Sequence, residues 1–483
     1  MCSKQLLLFP LLIFSFSTFA QEKWGLQKCV DYAMEHNISI RQSELQSDIS
    51  AINYKQSRLS QIPSANFSNS EGFRFGKSQN PSTGILENQN YFSVGLNFQS
   101  SVEIFNFFSK KNTILANEWT LEASKAQTEK LKDDIALLVA NNYLQVLLSI
   151  EQQKIAEVQV KQSMTQLDIV KKQVNAGAVP ELNALELESQ LSNDSANLIT
   201  AIGNVSQAKL VLKSNMFLDA AAPFEIDEPP VDQIPLEAIG DLQPADVYQQ
   251  ALANLPQQRM NEFNLKAAKS NSLSAKGALY PSVSAFGSFA TNYGYFRSPI
   301  FSKVLSGYAP SGLVVPDGSG GFISVQQPVF TNGTKTGYVT APGLGDQFNN
   351  NFGQQLGLSI SVPIFNGWQA KANYQRSKIN IRNIEYQKDL DNENLKQNIY
   401  QAYNAVIVAV EKFTSSLKAV ETAQRSYDVA TKRYTVGMLT TLELVTNQNN
   451  LFRAKLQYVV NQFDYVFKMK VLEFYKGKGL KLQ

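Results

Sequence analysis

Two long stretches of the chain carry apolar residues at alternating steps of four and three, which brings one stripe of side chains to one face of a helix. Between Val139 and Val174, eight of eleven such positions are apolar or aromatic, and between Ile399 and Tyr434 nine of eleven are. Gln, Asn, Ser, Lys and Glu fill most of the other positions. A heptad pattern sustained this long predicts helices that pack as coiled coils along one seam and face water elsewhere.

The two stretches belong to one duplicated pattern, with an offset of 260 residues and no gaps. The matched pairs are Tyr143 with Tyr403, Glu151 with Glu411, Asp168 with Asp428, Lys172 with Lys432, Gly177 with Gly437, Leu182 with Leu442, Leu191 with Leu451 and Leu212 with Leu472. An ungapped register of this length indicates duplicated structure. We therefore predict two structural repeats, residues 21–230 and 231–483, each with a helix, two barrel strands and a long helical hairpin.

Each long helix is interrupted at one glycine, in "KQVNAGAVPELNALELESQ" around Gly177 and in "RYTVGMLTTLELVTNQ" around Gly437. Glycine permits the positive φ that ends a helix. Pro180 after the first glycine, and Thr440 or Thr441 after the second, suit the start of a returning helix. The pattern therefore predicts two helical hairpins that turn at these glycines.

The remaining helices follow from the same periodicity. The first hairpin is predicted to have arms from Asn106 to Ala176 and from Ala178 to about Met216, and the second to return from Met438 to about Lys476. One further helix is expected in each repeat, at Trp24–Ile62 and at Ala245–Leu279. The acidic, Pro-rich segment "FLDAAAPFEIDEPPVDQIPLEAIGDLQP" separates the repeats.

Before each long helical arm, apolar and polar residues alternate along the chain, as they do in a β-strand with one apolar face. "YFSVGLNFQSSVEIF" and "FGQQLGLSISVPIF" alternate apolar with polar residues, and each follows a weaker strand, "SANFSNSEGFRF" or "SVSAFGSFATNYGYF". Aromatic residues cluster where these strands end: Phe105, Phe107, Phe108, Phe365 and Trp368. Apolar-out, polar-in segments with terminal aromatics are typical of outer-membrane barrel strands. The alternative is a soluble, half-buried hairpin.

Four strands per chain are too few for a barrel, because bacterial single-chain barrels start at about eight strands. An open sheet edge in lipid leaves backbone groups unpaired, at a cost of several kcal/mol each. The pattern therefore predicts an oligomer, and a lumen wide enough for cargo favours three copies and twelve strands over two copies. Residues 76–90 and the long Gly-, Ser- and Pro-rich segment 297–351 are expected as loops, the second one functional or mobile.

Composition mainly excludes functions. "MCSKQLLLFPLLIFSFSTFA" predicts a secretory signal peptide over residues 1–20. Its removal leaves Cys29 as the single thiol, so we expect no internal disulfide, and we judge lipidation of this Cys unfavourable. The net charge is +3, from 44 basic and 41 acidic residues without a strong block, which argues against a nucleic-acid partner.

Catalytic chemistry has little support in the sequence. His36 is the only histidine, and we interpret it as a surface or packing residue. No Cys cluster, Walker-type loop or GxSxG elbow is present in the sequence. We therefore expect no enzymatic activity, no cofactor and no metal site.

The strand-to-helix junction "SVPIFNGWQAKANYQRSK" and the turn "YTVGMLTTLELVTNQNNLFRAKLQY" resemble those of the TolC family of outer-membrane channels. The resemblance extends over essentially the whole chain after residue 20. It implies an α+β membrane protein: a homotrimer whose twelve-stranded β-barrel lies in outer-membrane lipid and continues as a periplasmic α-helical coiled-coil barrel. It also implies two partners, a periplasmic adaptor (membrane fusion) protein and an inner-membrane pump of the RND or ABC type.

The resemblance further implies roles for residues near the turns. Family members close the tunnel there with a ring of acidic residues, and Glu443 matches one ring position. Thr446 stands where a second Asp often lies, so the ring would carry three charges per trimer. Tyr434 matches an aromatic residue that can link the inner hairpin to the outer one, where Asn183 replaces the usual Asp. Because Leu439 occupies a position that can be basic, we favour a gate held by hydrogen bonds and packing.

The hairpin tips are expected to dock the adaptor, through Gly177, Ala178, Val179 and Pro180 on one hairpin and Gly437, Met438, Leu439 and Thr440 on the other. The leading interpretation is a passive exit duct, most simply for small molecules or drugs. Protein or peptide secretion with an ABC transporter stays open, and the lack of Met- or His-rich tracts disfavours dedicated metal export. A trimeric adhesin or a general porin fits less well, because the strands are split between two halves that carry paired long hairpins.

Overall fold

Helices dominate the chain. The computed structural model describes residues 23–79, 86–88, 90–230, 234, 236–295 and 297–477, so the predicted signal peptide at 1–20 lies outside the described residues. Of the helices in these ranges, none is both long and apolar enough to cross a membrane. They are α1 (Leu26–His36), α2 (Ile38–Leu59), α3 (Ser109–Asn175), α4 (Glu181–Met216), α5 (Pro244–Asn254), α6 (Pro256–Gly277), α7 (Leu344–Asn350), α8 (Gln369–Thr435) and α9 (Thr441–Phe474).

The two hairpins have closely matched arms. Helices α3 and α8 each contain 67 residues, and they start at residues 109 and 369, 260 residues apart. The return arms α4 and α9 start at residues 181 and 441, again 260 residues apart. The predicted arms are therefore present, each shortened by a few residues at its ends.

Two predicted helices are each broken in two. The helix expected at Trp24–Ile62 is divided at Asn37, because its side-chain Oδ1 accepts the backbone N–H groups of Ser39 and Ile40, at 2.9 and 3.4 Å, and so caps a new helix. The helix expected at Ala245–Leu279 is divided at Leu255, which is extended with ψ 134°. Pro256 follows, and proline disfavours helical geometry in the residue before it while suiting the first position of the next helix.

The described residues form two compact units. The helical unit contains residues up to Tyr54, Leu115–Asn271 and Arg376 onwards, and the strand unit contains Lys55–Ile114 and Ser272–Gln375. Each predicted repeat contributes to both units, and the repeat boundaries at 21–230 and 231–483 stay a prediction.

The strand unit is built on one antiparallel sheet of four strands in the order β1-β4-β5-β8. A second, short pair (β2, β3) and a third, long pair (β6, β7) form separate two-stranded sheets. The strands are β1 (Ser64–Arg74), β2 (Lys77–Gln79), β3 (Leu86–Asn88), β4 (Tyr91–Phe105), β5 (Ser282–Tyr295), β6 (Arg297–Pro316), β7 (Phe322–Thr340) and β8 (Gly353–Ser361).

The register of the sheet divides its two faces as the alternation predicts. Phe98 lies opposite Phe67 on one side and Phe289 on the other, so aromatic side chains share one face. Gln99, one residue along β4, lies opposite Asn66 and Ser288 on the other face. The apolar face is solvent-exposed in the single chain, with Leu356 on the edge strand β8 90% exposed.

The segment 297–351 is not the long loop that its Gly, Ser and Pro content suggested. Strands β6 and β7 pair along this segment, and α7 follows them. That prediction was wrong because β-branched and aromatic residues give the segment strand propensity, while several of its Gly and Pro residues lie at breaks in the register. The segment 76–90 contains the short β2–β3 pair, with residues 80–85 and 89 outside the described residues.

The buried stripe of α3 follows the predicted seam only in part. Val139, Tyr143, Val146 and Ile150 are buried as expected. Beyond them most buried residues lie one position earlier than the predicted seam, at Ala156, Gln159, Ser163 and Val170, while Leu167 stays on it. The predicted seam residue Met164 is therefore 58% exposed.

The main core of the helical unit surrounds the middle of α3. The hydroxyl of Tyr143 donates to the carbonyl of Asp227 at 2.6 Å, and the N-terminal Trp24 forms a parallel bridge with Ile226. Cys29 on α1 is fully buried in this core, and burial raises the pKa of its thiol to about 12. The single thiol of the described residues is therefore protonated and unreactive at neutral pH.

Candidate functional site

Both hairpins turn through the same backbone motif. Gly177 and Gly437 have φ values of +69° and +74°. After the first, the N–H of Ala178 donates to the carbonyl of Gln173, and after the second the N–H of Met438 donates to Arg433, each at 2.9 Å. This six-to-one bond beside a left-handed glycine is the Schellman motif, which satisfies the last free carbonyls of a helix. The two predicted turns are therefore where the sequence placed them.

The return helices begin differently in the two hairpins. Pro180 precedes α4 in an extended conformation and offers no side-chain cap. Thr440 precedes α9, where its Oγ1 accepts the N–H of Glu443 at 3.3 Å and its own N–H donates to Glu443 Oε2 at 2.9 Å. This reciprocal pair is a capping box, and it selects Thr440 rather than Thr441 as the first residue of the turn into α9.

Glu443 is thus a structural residue as well as a predicted ring residue. Its carboxylate accepts both the N–H and the hydroxyl of Thr440, each at 2.9 Å. These hydrogen bonds hold the pKa of the carboxyl below its ordinary value. The charged form is therefore favoured at neutral pH, as a ring of negative charge would require. Thr446 is also exposed one turn further along α9, with its hydroxyl donating to the carbonyl of Leu442 at 2.8 Å.

Tyr434 does not reach its expected partner. Its hydroxyl lies 3.4 Å from Oγ1 of Thr441, on the same hairpin, whereas Asn183 is half-buried in the first turn of α4 and its backbone N–H donates to Pro180. Within the single chain Tyr434 and Asn183 are thus not hydrogen-bonded to each other, and their part in linking the hairpins stays a prediction. Instead the Tyr434 ring joins a cluster that links the two hairpins through apolar side chains: Leu167, Val170, Ala184 and Leu187, with Val174, Val179, Leu191 and Val445 around them.

The two tips present apolar side chains to solvent. Met438 is 77% exposed and Leu442 is 64% exposed on the second hairpin, and Leu182 is 61% exposed on the first. Their backbones are rigid, because the turn motifs and the cap satisfy most of the free helix-end groups. The tips are therefore preformed, apolar and accessible.

A buried polar network lies on the arms behind the tips. Asp194 on α4 is 2% exposed. Its Oδ2 accepts the hydroxyl of Ser163 on α3 at 2.5 Å and the amide of Gln159 at 3.3 Å. Its Oδ1 accepts the amide of Gln190 at 2.9 Å. Both carboxyl oxygens of Asp194 therefore have hydrogen-bond donors, as buried polar groups in protein cores require.

The network also ties the two hairpins to each other. Gln448 on α9, 2% exposed, donates to Ser163 Oγ at 3.0 Å. Asn449 and Gln190 exchange two amide hydrogen bonds, at 3.0 and 3.1 Å. Three hydrogen bonds thus connect α9 to the first hairpin, and each has specific geometry that apolar contacts lack.

Sequence reasoning did not find this network, although its spacing was visible. Ala184, Leu187, Gln190 and Asp194 lie on one stripe of α4 at helical spacing, and all four are buried. The corresponding stripe of α9 is Thr441, Leu444, Gln448 and Leu451. The sequence prediction followed apolar residues only, so it did not extend these stripes to the polar residues that continue them.

A shallow groove runs between α8 and α9, beside the second tip. It encloses about 580 Å³, and Ser426 donates to Asn447 Oδ1 across it at 2.7 Å. Small and polar side chains line it: Ser415, Lys418, Ala419, Thr422, Ala423, Ser426, Asn447 and Asn450. Such a lining leaves room for a helix to approach closely without a strong charge. Within the described residues, no group of three or more His, Cys, Asp or Glu side chains is gathered as a metal site would need.

The family model "Outer membrane efflux protein" matches residues 29–216 and 247–466. The chain is 21% identical over 484 residues to outer membrane protein TolC of Salmonella enteritidis, across 98% of this chain and 85% of that protein. It is 24% identical over 283 residues to the toluene efflux pump outer membrane protein TtgC of Pseudomonas putida, across 57% of this chain. In that match the chain spans 45% of the relative's length, and 27% in a match to TolC of Escherichia coli.

The fold is shared with solved structures. A crystal structure of CusC, described as a study of transmembrane channel formation, aligns with a TM-score of 0.74 and 18% identity. The alignment covers 96% of this chain and 96% of that one. The predicted fold class, a mixed helix-and-strand channel fold, is thereby confirmed.

The cap on α9 makes the second tip sensitive to pH. Because the folded-state pKa of Glu443 lies below its ordinary value of 4.5, its contribution to stability is present above pH 4.5 and is lost as pH falls through the folded pKa. We expect hydrogen-exchange protection of the first amides of α9 to decline as pH falls through this range. Glu443→Gln, which keeps an acceptor for the Thr440 N–H without titrating, is expected to show no such decline. An equal decline in both proteins would contradict the assignment.

The buried network is expected to contribute measurably to stability. Asp194→Ala removes the shared acceptor and leaves the Ser163 hydroxyl and the Gln190 amide short of a partner, at a cost of roughly 1.5–3 kcal/mol. Ser192→Ala is a matched control on the exposed side of the same helix, expected to stay within about 0.5 kcal/mol of the parent. Denaturant unfolding of the detergent-solubilised protein, followed by circular dichroism, measures both. Equal stability of the two variants would show that the network carries no free energy of its own.

Proposed function

The chain belongs to the outer membrane efflux protein family, and from this premise we propose that it is the outer-membrane exit duct of a three-part export system. An inner-membrane pump supplies the energy, a periplasmic adaptor bridges the two membranes, and cargo passes through this protein without chemical change. The observation that carries the proposal is the pairing of two long, capped helical hairpins with a sheet that is apolar on one face and polar on the other.

A trimer follows from what the single chain leaves uncovered. The edge strands β1 and β8 each pair on one side only, and unpaired strand edges are not tolerated in lipid. On α2, Leu45, Ile49 and Ile52 form an exposed stripe at helical spacing, which suits burial against a neighbouring copy. Three copies joined from β8 to β1 close twelve strands, and we propose that the halves 21–230 and 231–483 are repeats that together build each third of the ring.

The polar face of the sheet then lines the lumen. Asn97 and Gln99 on β4 face Ser68 and Asn66 on β1 across the sheet, and no charge lies among these four side chains. Between Arg74 and Glu103, which lie on the same face towards its two ends, this neutral polar stretch suits diffusion of varied solutes, because it neither binds ions tightly nor repels polar molecules. This supports a passive conduit rather than an ion-selective channel at the sheet.

The tips are the proposed adaptor-docking surface. Gly177, Ala178, Val179 and Pro180 on the first hairpin and Gly437, Met438, Leu439 and Thr440 on the second form two ordered turns flanked by exposed apolar side chains. A small apolar patch on a rigid backbone is well suited to a helical hairpin of a partner. The groove between α8 and α9 extends this surface along the second hairpin.

The gate is proposed to lie at the same end. Glu443 supplies the acidic ring, with Thr446 as its neutral neighbour, while Tyr434 packs against the first hairpin in place of a bond to Asn183. The hydrogen bonds from Gln448 and Asn449 to the first hairpin hold α9 in its resting position. The gate is thus held by packing and neutral hydrogen bonds rather than by salt bridges.

Small-molecule efflux is the cargo class we propose. One relative is named for toluene efflux, and the chain has 1 His and 7 Met residues, which gives no support to a pathway dedicated to metal ions. Secretion of a protein or peptide with an ABC transporter is the alternative. The duct is suited to both cargo classes, so the pump that the adaptor recruits determines whether small molecules or polypeptides are exported.

The identity of the adaptor tests the function directly. A photo-crosslinking residue at Leu439 is expected to capture a periplasmic adaptor in native cells, identified by mass spectrometry. The matched control is the same residue at Ile199, exposed on α4 away from the turn, where we expect links to other copies of this chain. An adaptor encoded beside a resistance-nodulation type pump supports small-molecule efflux, and one encoded with an ABC transporter supports secretion. Efficient labelling at Leu439 without any adaptor would contradict the proposal.

The acidic ring is expected to set ion preference. Glu443→Gln keeps the capping acceptor and removes the charge, so the cation-to-anion permeability ratio should fall several-fold in planar bilayers under a salt gradient, with the trimer intact. Glu181→Gln removes an acid from the first turn of the other return helix and is expected to leave the ratio unchanged. Equal ratios in the parent and both variants would exclude Glu443 from the constriction.

A further inference from the structure

The β6–β7 hairpin is the largest feature that the duct does not explain. Its strands contain 20 and 19 residues and pair only with each other among the described strands. Only residue 296 separates β6 from β5 of the main sheet, and α7 connects β7 to the edge strand β8. The hairpin is therefore a direct extension of the sheet, close in sequence to the edge that the proposed ring joins to the next copy.

The root of the hairpin is fixed to the sheet by α7. The side chain of Gln347 is buried; its Oε1 accepts the N–H of Gly294 at 2.9 Å and its Nε2 donates to the Gly294 carbonyl at 3.0 Å. The Gln347 side-chain amide thus pairs with the backbone of β5 beyond the end of β8, where a neighbouring strand would otherwise do so. Thr291 and Asn351 add side-chain bonds between β5 and the α7 segment, at 2.8 and 2.7 Å. The segment that follows the hairpin is thus fixed to β5 by specific hydrogen bonds.

The hairpin exposes many large apolar side chains, which no other part of the described chain covers. A two-stranded ribbon alone is marginally stable at best in water. Its exposed side chains amount to on the order of 1,000 Å² of apolar surface, against the roughly 800 Å² that each partner buries in a standard interface. The large apolar residues exposed by more than a third are Ile300, Phe301, Val304, Leu305, Tyr308, Leu313, Val314, Val315, Phe322, Ile323, Val329, Phe330, Tyr338 and Val339.

The edges of the hairpin are built against strand addition. Its register is broken at four places, and such irregularities twist an edge away from a straight partner. Prolines at 299, 310, 316 and 328 remove backbone donors. A partner therefore meets the faces of the ribbon through side chains rather than adding a strand to it.

Charge permits the partner to be an identical hairpin. Residues 297–340 contain four charged side chains, Arg297, Lys303, Asp317 and Lys335. Lys335 lies over the ring of Tyr338, 3.8 Å from its centre, and Asp317 accepts the N–H groups of Ser319 and Gly321 within the terminal turn. Copies of the ribbon can approach face to face with little repulsion between like charges.

We propose that the β6–β7 hairpins of the three copies pack against one another through these apolar side chains, as a second interface within the ring. This inference rests on the proposed trimer. One hairpin per copy, rooted in one ring, gives an effective concentration of roughly millimolar, far above that of separate rings. Burial in this interface supplies the stability that a single ribbon lacks.

A cysteine on the hairpin tests the contact in the full chain. Phe330→Cys, in native outer-membrane vesicles treated with a short bismaleimide, is expected to give linked dimers and trimers. Linking should be roughly a thousandfold faster than between rings mixed at micromolar concentration. Lys77→Cys on the short β2–β3 hairpin is the matched control, and the buried Cys29 thiol gives no background. Adding Leu305→Asp, on the residue that pairs with Phe330, is expected to abolish the links while the trimer persists.

The outcomes separate this inference from the proposed function. Trimers by native mass measurement without Phe330→Cys links would overturn the hairpin contact and leave the duct standing. Links to a thiol of another protein would overturn it by assigning the face to a different occupant, and links that depend on protein concentration would assign it to contacts between rings. Absence of any trimer in the unsubstituted chain would overturn both.

Discussion

A strand edge in lipid has no water with which to pair its backbone N–H and C=O groups, and the four-stranded sheet has two such edges, on β1 and β8. Most other features serve this constraint. Closing the edges requires further copies, which explains the exposed stripe of Leu45, Ile49 and Ile52 on α2. The apolar face that Phe98 shares with its neighbours is then the lipid surface, and the polar face becomes a lumen. The outer-membrane location of the family is consistent with this division of the sheet.

Periodicity predicted the fold well because the two periods present, near 3.6 and 2, run over long segments in which a single misplaced residue matters little. Periodicity did not predict features that depend on a single residue. Asn37 divides one predicted helix through a side-chain cap, and Pro256 divides another by disfavouring helical geometry at Leu255, although both signals were local and visible. The β6–β7 hairpin was missed for the opposite reason: several of its Gly and Pro residues, which normally indicate loops, lie at irregularities in a strand pair that its β-branched residues sustain.

The two turns of the candidate site were predictable, because backbone conformation determines them. The hydrogen-bond partners of its side chains were not, because they depend on tertiary packing. Gly177 and Gly437 have to adopt positive φ, so both turns follow from sequence. Whether Tyr434 bonds Asn183 or Thr441 depends on how the hairpins pack in three dimensions; in the single chain its hydroxyl lies near Thr441, and the link to Asn183 stays a prediction. The Asp194 network is harder still, because Ser163 and Met164 are adjacent and only the packing of α3 against its neighbours decides which one is buried. Glu443 shows that a structural role, the cap on α9, and a proposed electrostatic one can occupy a single side chain.

The equal lengths of α3 and α8, 67 residues each, constrain how this chain can evolve. One inserted residue turns everything beyond it by about 100° and lifts it by about 1.5 Å. An insertion in α3 before Leu167 would rotate this residue out of the buried cluster near the first tip. It would also displace the first tip along the helix axis relative to the second. Insertions and deletions in the arms are therefore tolerated mainly as whole heptads matched in both halves. Unmatched length changes belong in the connection between α4 and α5, where no helix has to keep its phase.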